Sequence, residues 1–379
     1  MSATLTYNPL GADSVTFVCY DVRFWQRTLK RLGFETIAPP DRGAVDHQGI
    51  VAMAHGDVNV VLADPTSRER GPEITRSLVD HGDMQVFSAA ILVDDGDRAR
   101  RELSTLVDCS PLETVEDPLG RAKRFRVRLP YQSTVTWEIV ERLERRPLPS
   151  GDSWWKSRAV DHFAIAVADL SQWESAYHSL GFETIYVPGK EIGGEHSAMK
   201  TAAVQRGGWV VALVEGVDRK LPSQVSTYAR VHGDHAIQHA AIRFDNLRET
   251  LRELLARGVQ LRLRRVRQDP AAPLAIEDVL HEGRDHSGPL LQCFTKPLAR
   301  RPNPNNPELH EAGFFFELIQ RIAPAKQAVS KGDEQPFHDP TVIGLYRSIE
   351  YEEIGKDSGL LFADMGDYRF SEWLAGVSG

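Results

Sequence analysis

Apolar residues fall along this chain in two alternating rhythms. Short runs of strand length, such as Ser14-Val-Thr-Phe-Val-Cys-Tyr20, give way to stretches with helical spacing, such as Val22 to Leu32, which Gly33 stops. The same succession predicts strand Phe163 to Val167 before helix Ser171 to Leu180. It also predicts strand Ser88 to Val93 before helix Asp97 to Leu106, and strand His239 to Phe244 before helix Leu247 to Ala256. Two further apolar strands run from Thr134 to Arg142 and from Phe314 to Arg321.

The pattern repeats, and the repeat sets the fold class. Gly33-Phe-Glu-Thr-Ile37 returns as Gly181-Phe-Glu-Thr-Ile185, each 19 residues after a strand position, Ser14 in one copy and His162 in the other. His81-Gly-Asp83 stands seven residues before Ser88, and His232-Gly-Asp234 stands seven before His239. A period of about 148 residues with strand, helix and further strands in each unit predicts an α+β chain of four βαβββ modules paired into two half-barrel-like halves. The stretch Arg145 to Arg158, rich in Pro, Ser, Gly and Trp, reads as the linker, so the halves are expected at 1–148 and 149–379.

Composition narrows the function classes. A formal charge of -8 leaves no electrostatic footprint for nucleic acid, and the basic run from Arg262 to Arg267 alternates with apolar residues as a strand with one solvated face would. Three scattered cysteines, Cys19, Cys109 and Cys293, are too few for a disulfide framework or a zinc cluster. No apolar segment follows Met1 and no apolar run reaches membrane-spanning length, so the expected setting is the cytoplasm.

The chemistry concentrates on Gly313-Phe-Phe-Phe-Glu-Leu-Ile-Gln-Arg321, where Glu317 stands among aromatics that would expel an uncompensated charge. Alternation puts only Phe315 of the three aromatics on the Glu317 face. In the repeat frame, His162, His239 and Glu317 of the second half correspond to Ser14, Ser88 and Glu138 of the first. Two imidazoles and one carboxylate form the facial set that non-haem Fe(II) oxygenases use, with three adjacent positions left open. The first half has no histidines at these places and is expected to be metal-free, with Glu138 a partnered structural carboxylate. His55, His81, His178, His196, His281, His286, His310 and His338 have no ligand spacing with one another, and Asp161 reads as a turn or hydrogen-bond acceptor.

These residues resemble the vicinal oxygen chelate superfamily, and more narrowly the 4-hydroxyphenylpyruvate dioxygenases and hydroxymandelate synthases, over about residues 10 to 350. The likeness is most specific at Val160-Asp-His-Phe163, at Ser223-Gln-Val-Ser-Thr-Tyr228 leading to Ile237-Gln-His239, at Leu290-Leu-Gln-Cys-Phe-Thr-Lys-Pro297, and at Gly313 to Arg321. It implies Fe(II) on His162, His239 and Glu317, a polar shell of Gln224, Gln238 and Gln292, and pocket aromatics Phe294, Phe315 and Phe337. It also implies a dimer or tetramer, and a closing helix near Thr341 to Glu350. Thr201 stands near the family's head-group position, and Val342, in Pro340-Thr-Val342, replaces a ring-stacking Phe. The segment between Pro297 and Gly313 is about ten residues longer than usual and reads as a loop stiffened by Pro302, Pro304 and Pro307.

The activity implied is oxidative decarboxylation and hydroxylation of an arylpyruvate such as 4-hydroxyphenylpyruvate, with O2 as second substrate. The alternatives are benzylic hydroxylation of the hydroxymandelate type, action on an aliphatic or indolic 2-oxo acid, and ring cleavage by the same triad. From another class comes a metal-free small-molecule binder.

Overall fold

The computed structural model describes residues 5–37, 49–68, 70–148, 156–187, 191–193, 196–264, 274–285, 288–303, 306–322, 346, 359–365 and 368–377. In the first half, the strands are β1 (Pro9–Val18), β2 (Glu35–Thr36), β3 (Ile50–His55), β4 (Val58–Ala63), β5 (Gln85–Val93), β6 (Asp108–Cys109), β7 (Glu113–Asp117), β8 (Gly120–Arg128) and β9 (Thr136–Arg145). They form one mixed sheet in the order β2-β3-β4-β1-β5-β9-β8-β6, with β7 on β8. The second half follows with β10 (Ser157–Val167), β11 (Glu183–Tyr186), β12 (Ile192–Gly193), β13 (Ser197–Arg206), β14 (Trp209–Asp218), β15 (Ala236–Phe244), β16 (His281–Asp285) and β17 (Gly288–Phe294). After these come β18 (Arg300–Asn303), β19 (Asn306–Ala312) and β20 (Phe315–Arg321). Its sheet runs β11-β13-β14-β10-β15-β20-β17-β16, with β12 on β13, so the two halves share one topology.

Strand register makes the correspondence exact to the residue. Ser14 pairs with Ala90, which pairs with Glu138; His162 pairs with Ala241, which pairs with Glu317. Both β1 and β10 shift register one residue before this position, so that Asp13 and Asp161 are each the extra residue of a β-bulge.

The repeated peptides have identifiable local work. In each His-Gly-Asp, the glycine ends a helix at positive φ, 93° at Gly82 and 89° at Gly233, a conformation that costs a side-chain-bearing residue dearly. The aspartate that follows accepts an indole hydrogen bond from the first helix of its half: Trp25 Nε1 to Asp83 Oδ2 at 2.8 Å, and Trp173 Nε1 to Asp234 Oδ2 at 3.0 Å. Helices Val22–Arg31 and Leu170–Ser179 open on Asp21 and Asp169, whose side chains accept from backbone N–H groups of the first turn.

One face of each sheet joins a common core. Phe17 meets Phe314 edge-on at 4.9 Å between ring centroids, and Trp137 meets Trp209 at 4.7 Å and Phe163 at 5.6 Å. Phe314 and Phe316 point into this core, whereas Phe315 joins Phe294 on the opposite face, as strand alternation requires. Each fully buried aromatic of this kind contributes on the order of 2 kcal/mol of transfer free energy.

One expectation is corrected. Arg262 is not on a solvated strand face; it is 1% exposed, its backbone N–H donates to the Phe294 carbonyl, and its guanidinium lies 4.8 Å from the Phe315 ring centroid. The long segment before Gly313 is a two-stranded hairpin, β18 with β19. Gly313 follows it because a methyl group there would strike the carbonyl oxygen of Ala299. The C-terminal helix among the described residues is Phe370–Val377, and Phe370 packs on Val18, Ala63, Ile74 and Leu78 of the first half. The helix expected near Thr341 to Glu350 lies outside the described residues except for Tyr346.

Candidate metal centre

Glu317 on β20, His162 on β10 and His239 on β15 come together on neighbouring strands at the centre of the second sheet. His162 Nε2 lies 3.3 Å and His239 Nε2 lies 3.4 Å from the same oxygen, Glu317 Oε2. Ligands about 2.1 Å from a six-coordinate ion and at right angles to one another are separated by about 3 Å, so both histidine–carboxylate separations are close to those of cis ligands.

The two histidines are held differently. The bulge at β10 lets Asp161 and His162 face the same way, and Asp161 Oδ1 lies 3.2 Å from His162 Nδ1. Arg321 closes the chain with a bidentate contact to Asp161, at 2.8 Å from Nε and 2.6 Å from its second nitrogen. His239 has no such partner for Nδ1 among the described residues; its ring is stacked on Phe315, with centroids 4.8 Å apart and planes at 29°.

The electrostatics follow from this packing. Burial alone would raise the Glu317 pKa, but both histidines outweigh it and hold the carboxyl down to about 2. Burial works against charge on His162 too, yet Asp161 and Glu317 together raise it to about 10. His239 goes the other way, lowered by burial and by the charge on His162. Asp161 is held well below the usual carboxylate range, because His162 and Arg321 overcome its burial. In the metal-free protein, therefore, a proton on His162 supplies the positive charge that the buried carboxylates require.

A chamber of about 110 Å3 opens on these ligands. Gln224, Gln238 and Gln292 all line it, and Gln238 Nε2 donates to Gln224 Oε1 at 3.1 Å. Its other walls include Ile185, Met199, Val210, Ala212, Val214, Leu290, Phe294 and Ile319.

The family described as Glyoxalase/Bleomycin resistance protein/Dioxygenase superfamily matches residues 161–272. A 4-hydroxyphenylpyruvate dioxygenase from Yarrowia lipolytica is 30% identical over 335 residues, covering 77% of this chain and 82% of that protein. The enzyme of the same name from Sus scrofa is 23% identical over 379 residues, covering 88% and 91%.

The chain belongs to the 4-hydroxyphenylpyruvate dioxygenase family.

Among solved structures, a mutant of 4-hydroxymandelate synthase from Streptomyces coelicolor superposes with a TM-score of 0.67 at 21% identity, covering 91% of this chain and 99% of that one. The fold is thus the vicinal oxygen chelate fold, and membership of this dioxygenase family makes the protein an oxidoreductase.

Against that family background, the remaining expected pocket residues divide. Thr201 lines the chamber, but its hydroxyl donates to the Leu213 carbonyl at 2.9 Å. Phe294 is on the chamber wall, whereas Phe315 lies behind His239, between that ring and the Arg262 guanidinium, and supports a ligand instead of facing the cavity. Phe337 and Val342 lie outside the described residues. Tyr346 lines the chamber with its hydroxyl against Ser197 Oγ and 3.4 Å from Ser223 Oγ.

Sequence reasoning missed the Asp161–Arg321 pair. The usable signal was position: Arg321 is four residues after Glu317 on one strand and so shares its face, together with Ile319. The first half carries the same pair, with Arg142 bidentate to Asp13 at 3.0 and 2.5 Å. There, Glu138 has Arg124 and Arg126 at 3.6 Å in place of histidines. A second acidic group, Asp95, Asp97 and Glu141, is accounted for by the start of helix Gly96–Leu103 and by Lys123.

Proposed function

We propose that this enzyme is an Fe(II)-dependent 2-oxo acid dioxygenase that decarboxylates and hydroxylates an arylpyruvate, with 4-hydroxyphenylpyruvate as the first substrate to test. The observation that carries the reading is the convergence of two imidazole nitrogens and one carboxylate oxygen on one face of a buried site, beside a chamber with three glutamines. The donor set fits Fe(II): borderline nitrogen and hard oxygen ligands, no thiolate, and the approximate spacing of cis positions. His162, His239 and Glu317 would hold the ion. Bound there, Fe(II) supplies a Lewis acid for the keto and carboxylate oxygens of a 2-oxo acid and a site for O2.

The chain's own residues do the rest. Asp161 accepts from Nδ1–H of His162, which fixes the tautomer with the Nε2 lone pair turned inward once the proton there has left. Gln238 has spent an N–H on Gln224, which leaves the Gln224 amide as a donor and the Gln238 carbonyl as an acceptor toward a ligand. Neither adds charge beside the carboxylates. The aliphatic walls and Phe294 exclude water and favour an apolar substrate body over a short polar keto acid. Thr201, already donating to Leu213, retains only lone pairs for a phenol proton.

The test is product mass spectrometry after anaerobic Fe(II) loading and O2 addition, with 4-hydroxyphenylpyruvate, phenylpyruvate, indolepyruvate and branched aliphatic 2-oxo acids. Decarboxylated, hydroxylated products from the arylpyruvates are expected. Turnover of an aliphatic acid alone would overturn the aromatic assignment, and no O2 uptake with any member would overturn the activity.

A further inference from the structure

The first half contains a chamber of about 490 Å3 at the place that corresponds to the metal centre of the second. Register equates Ser14 with His162, Glu138 with Glu317, Arg124 with Gln292 and Arg126 with Phe294. The positive charge that one half is built to take from outside is therefore fixed, in the other half, on guanidinium groups.

The charges around Glu138 do not close. Glu138 is 5% exposed, and its Oε1 accepts no hydrogen bond among the described residues. Arg124 and Arg126 stop at 3.6 Å from its two oxygens, within ion-pair range but beyond a hydrogen bond. Arg70, also on the chamber wall, is paired at 3.3 Å with Glu73 and feels both Arg126 and Glu138. Among the described residues, three guanidiniums thus face two carboxylates, which leaves one positive charge and one unused buried acceptor. Arg142 does not alter this count, since Asp13 and Asp117 already hold it. At the rim, Arg68 and Glu116, both exposed, carry charges of opposite sign.

We propose that this chamber binds a small hydroxy-carboxylate, with its carboxylate on Arg124 and Arg70 and its hydroxyl donating to the Glu138 carboxylate. A monoanion neutralises the surplus charge, and a hydroxyl supplies the missing donor. Hydroxylated carboxylates are also the product class of the reaction proposed above, so an effector role as a product sensor rests on that reading, whereas the binding itself does not.

The experiment uses the full-length His162→Ala protein, in which the metal centre is disabled, and titrates mandelate and phenylacetate by calorimetry. Both ligands should bind saturably at one site, with mandelate about tenfold tighter for its extra hydrogen bond. Arg124→Gln should weaken both at least tenfold, and Glu138→Ala should abolish the preference for mandelate while keeping carboxylate binding. Unchanged thermal unfolding of the Arg124→Gln protein, whose side chain is 31% exposed, checks that the fold is intact. Absence of saturable binding, binding indifferent to Arg124→Gln, or equal affinity for the two acids before any change at Glu138 would each overturn the proposal. Failure of turnover in the wild-type enzyme would leave it standing.

Discussion

Asp161→Asn separates what the Asp161–Arg321 pair does for the fold from what it does for a bound metal. The change keeps the shape and removes the charge that fixes the His162 tautomer. Loss of such an outer partner lowers metal affinity by about 10–100-fold, or roughly 1.4–2.8 kcal/mol. Stability should fall as well. The Asp161 side chain is 6% exposed and that of Arg321 27%, and breaking a buried pair from one side costs about 3–5 kcal/mol where burial is complete. The internal control is Asp13→Asn, because Asp13 and Arg142 form the same pair beside Ser14, which is no ligand. Its side chains are 0% and 5% exposed, so the stability loss should be at least as large. Metal affinity of both variants is read by anaerobic titration against a competing chelator, and stability by denaturant unfolding of the metal-free proteins. Asp161→Asn should lose both, and Asp13→Asn stability alone. Equal metal affinities in the two variants would refute the tautomer argument and leave the pair as scaffold.

Three further outcomes follow from the structure. His162→Ala and Glu317→Ala should each abolish O2 uptake while near-ultraviolet circular dichroism stays native; residual turnover above a few per cent in either would remove that residue from the ligand set. Trp173→Phe should cost about 1–3 kcal/mol, because it leaves Asp234 Oδ2 without its 3.0 Å indole donor, and a change below roughly 0.5 kcal/mol in denaturant unfolding would show that water replaces it. For the metal-loaded protein, stability should fall with acidification from about pH 6.5 toward 4. Burial lowers His55 and His281 to about 4 and His235 to about 3, so in that window the unfolded chain binds protons that the folded chain refuses. Asp83, raised by burial to about 7, binds a proton on folding there and offsets one of the three. Unfolding also releases the metal and frees its ligands His162 and His239 to take up protons, so a net of four protons gives a slope of at most about 5.4 kcal/mol per pH unit, with stability rising as pH rises; a flat profile in urea unfolding would contradict it.

How much of this was legible in the chain depended on whether a residue repeats. Gly33 to Ile37 and Gly181 to Ile185 announce the two halves, and the two His-Gly-Asp peptides fix the frame that lines up His239 with Ser88. Once that frame existed, the triad could be read from three strands far apart in sequence. Arg262 could not be read this way, because alternating Arg and Leu look the same whether the arginines meet water or an aromatic ring. Phe315 misled for a related reason: alternation gives its face correctly, but the His239 ring occupies the space in front of it. The hairpin at 300–312 escaped notice because prolines there suggested a stiff loop, although Pro302 sits on one of its two strands.

The two halves keep one scaffold and differ in how a single buried carboxylate is compensated. What the two halves share is scaffold: a bulged strand, an Asp–Arg pair behind it, an indole on an aspartate after the second helix, and a carboxylate on the fourth strand of the module. Where they differ is the compensation for that carboxylate. Glu138 has Arg124 and Arg126 as its ion-pair partners; for Glu317, the described partners within 4 Å are His162 and His239, which can be neutral. A permanently charged guanidinium beside Glu317 would repel a metal cation, whereas an imidazole can release its proton and offer a lone pair instead. Replacing Gln292 by Arg, the residue at the equivalent place in the first half, therefore ought to lower metal affinity at the second centre without touching any of the three ligands. Anaerobic titration of Gln292→Arg and Gln292→Leu distinguishes charge from shape: equal loss in both would mean that the glutamine acts through packing, and loss confined to the arginine would mean that the halves diverged by moving the cation from protein to solvent.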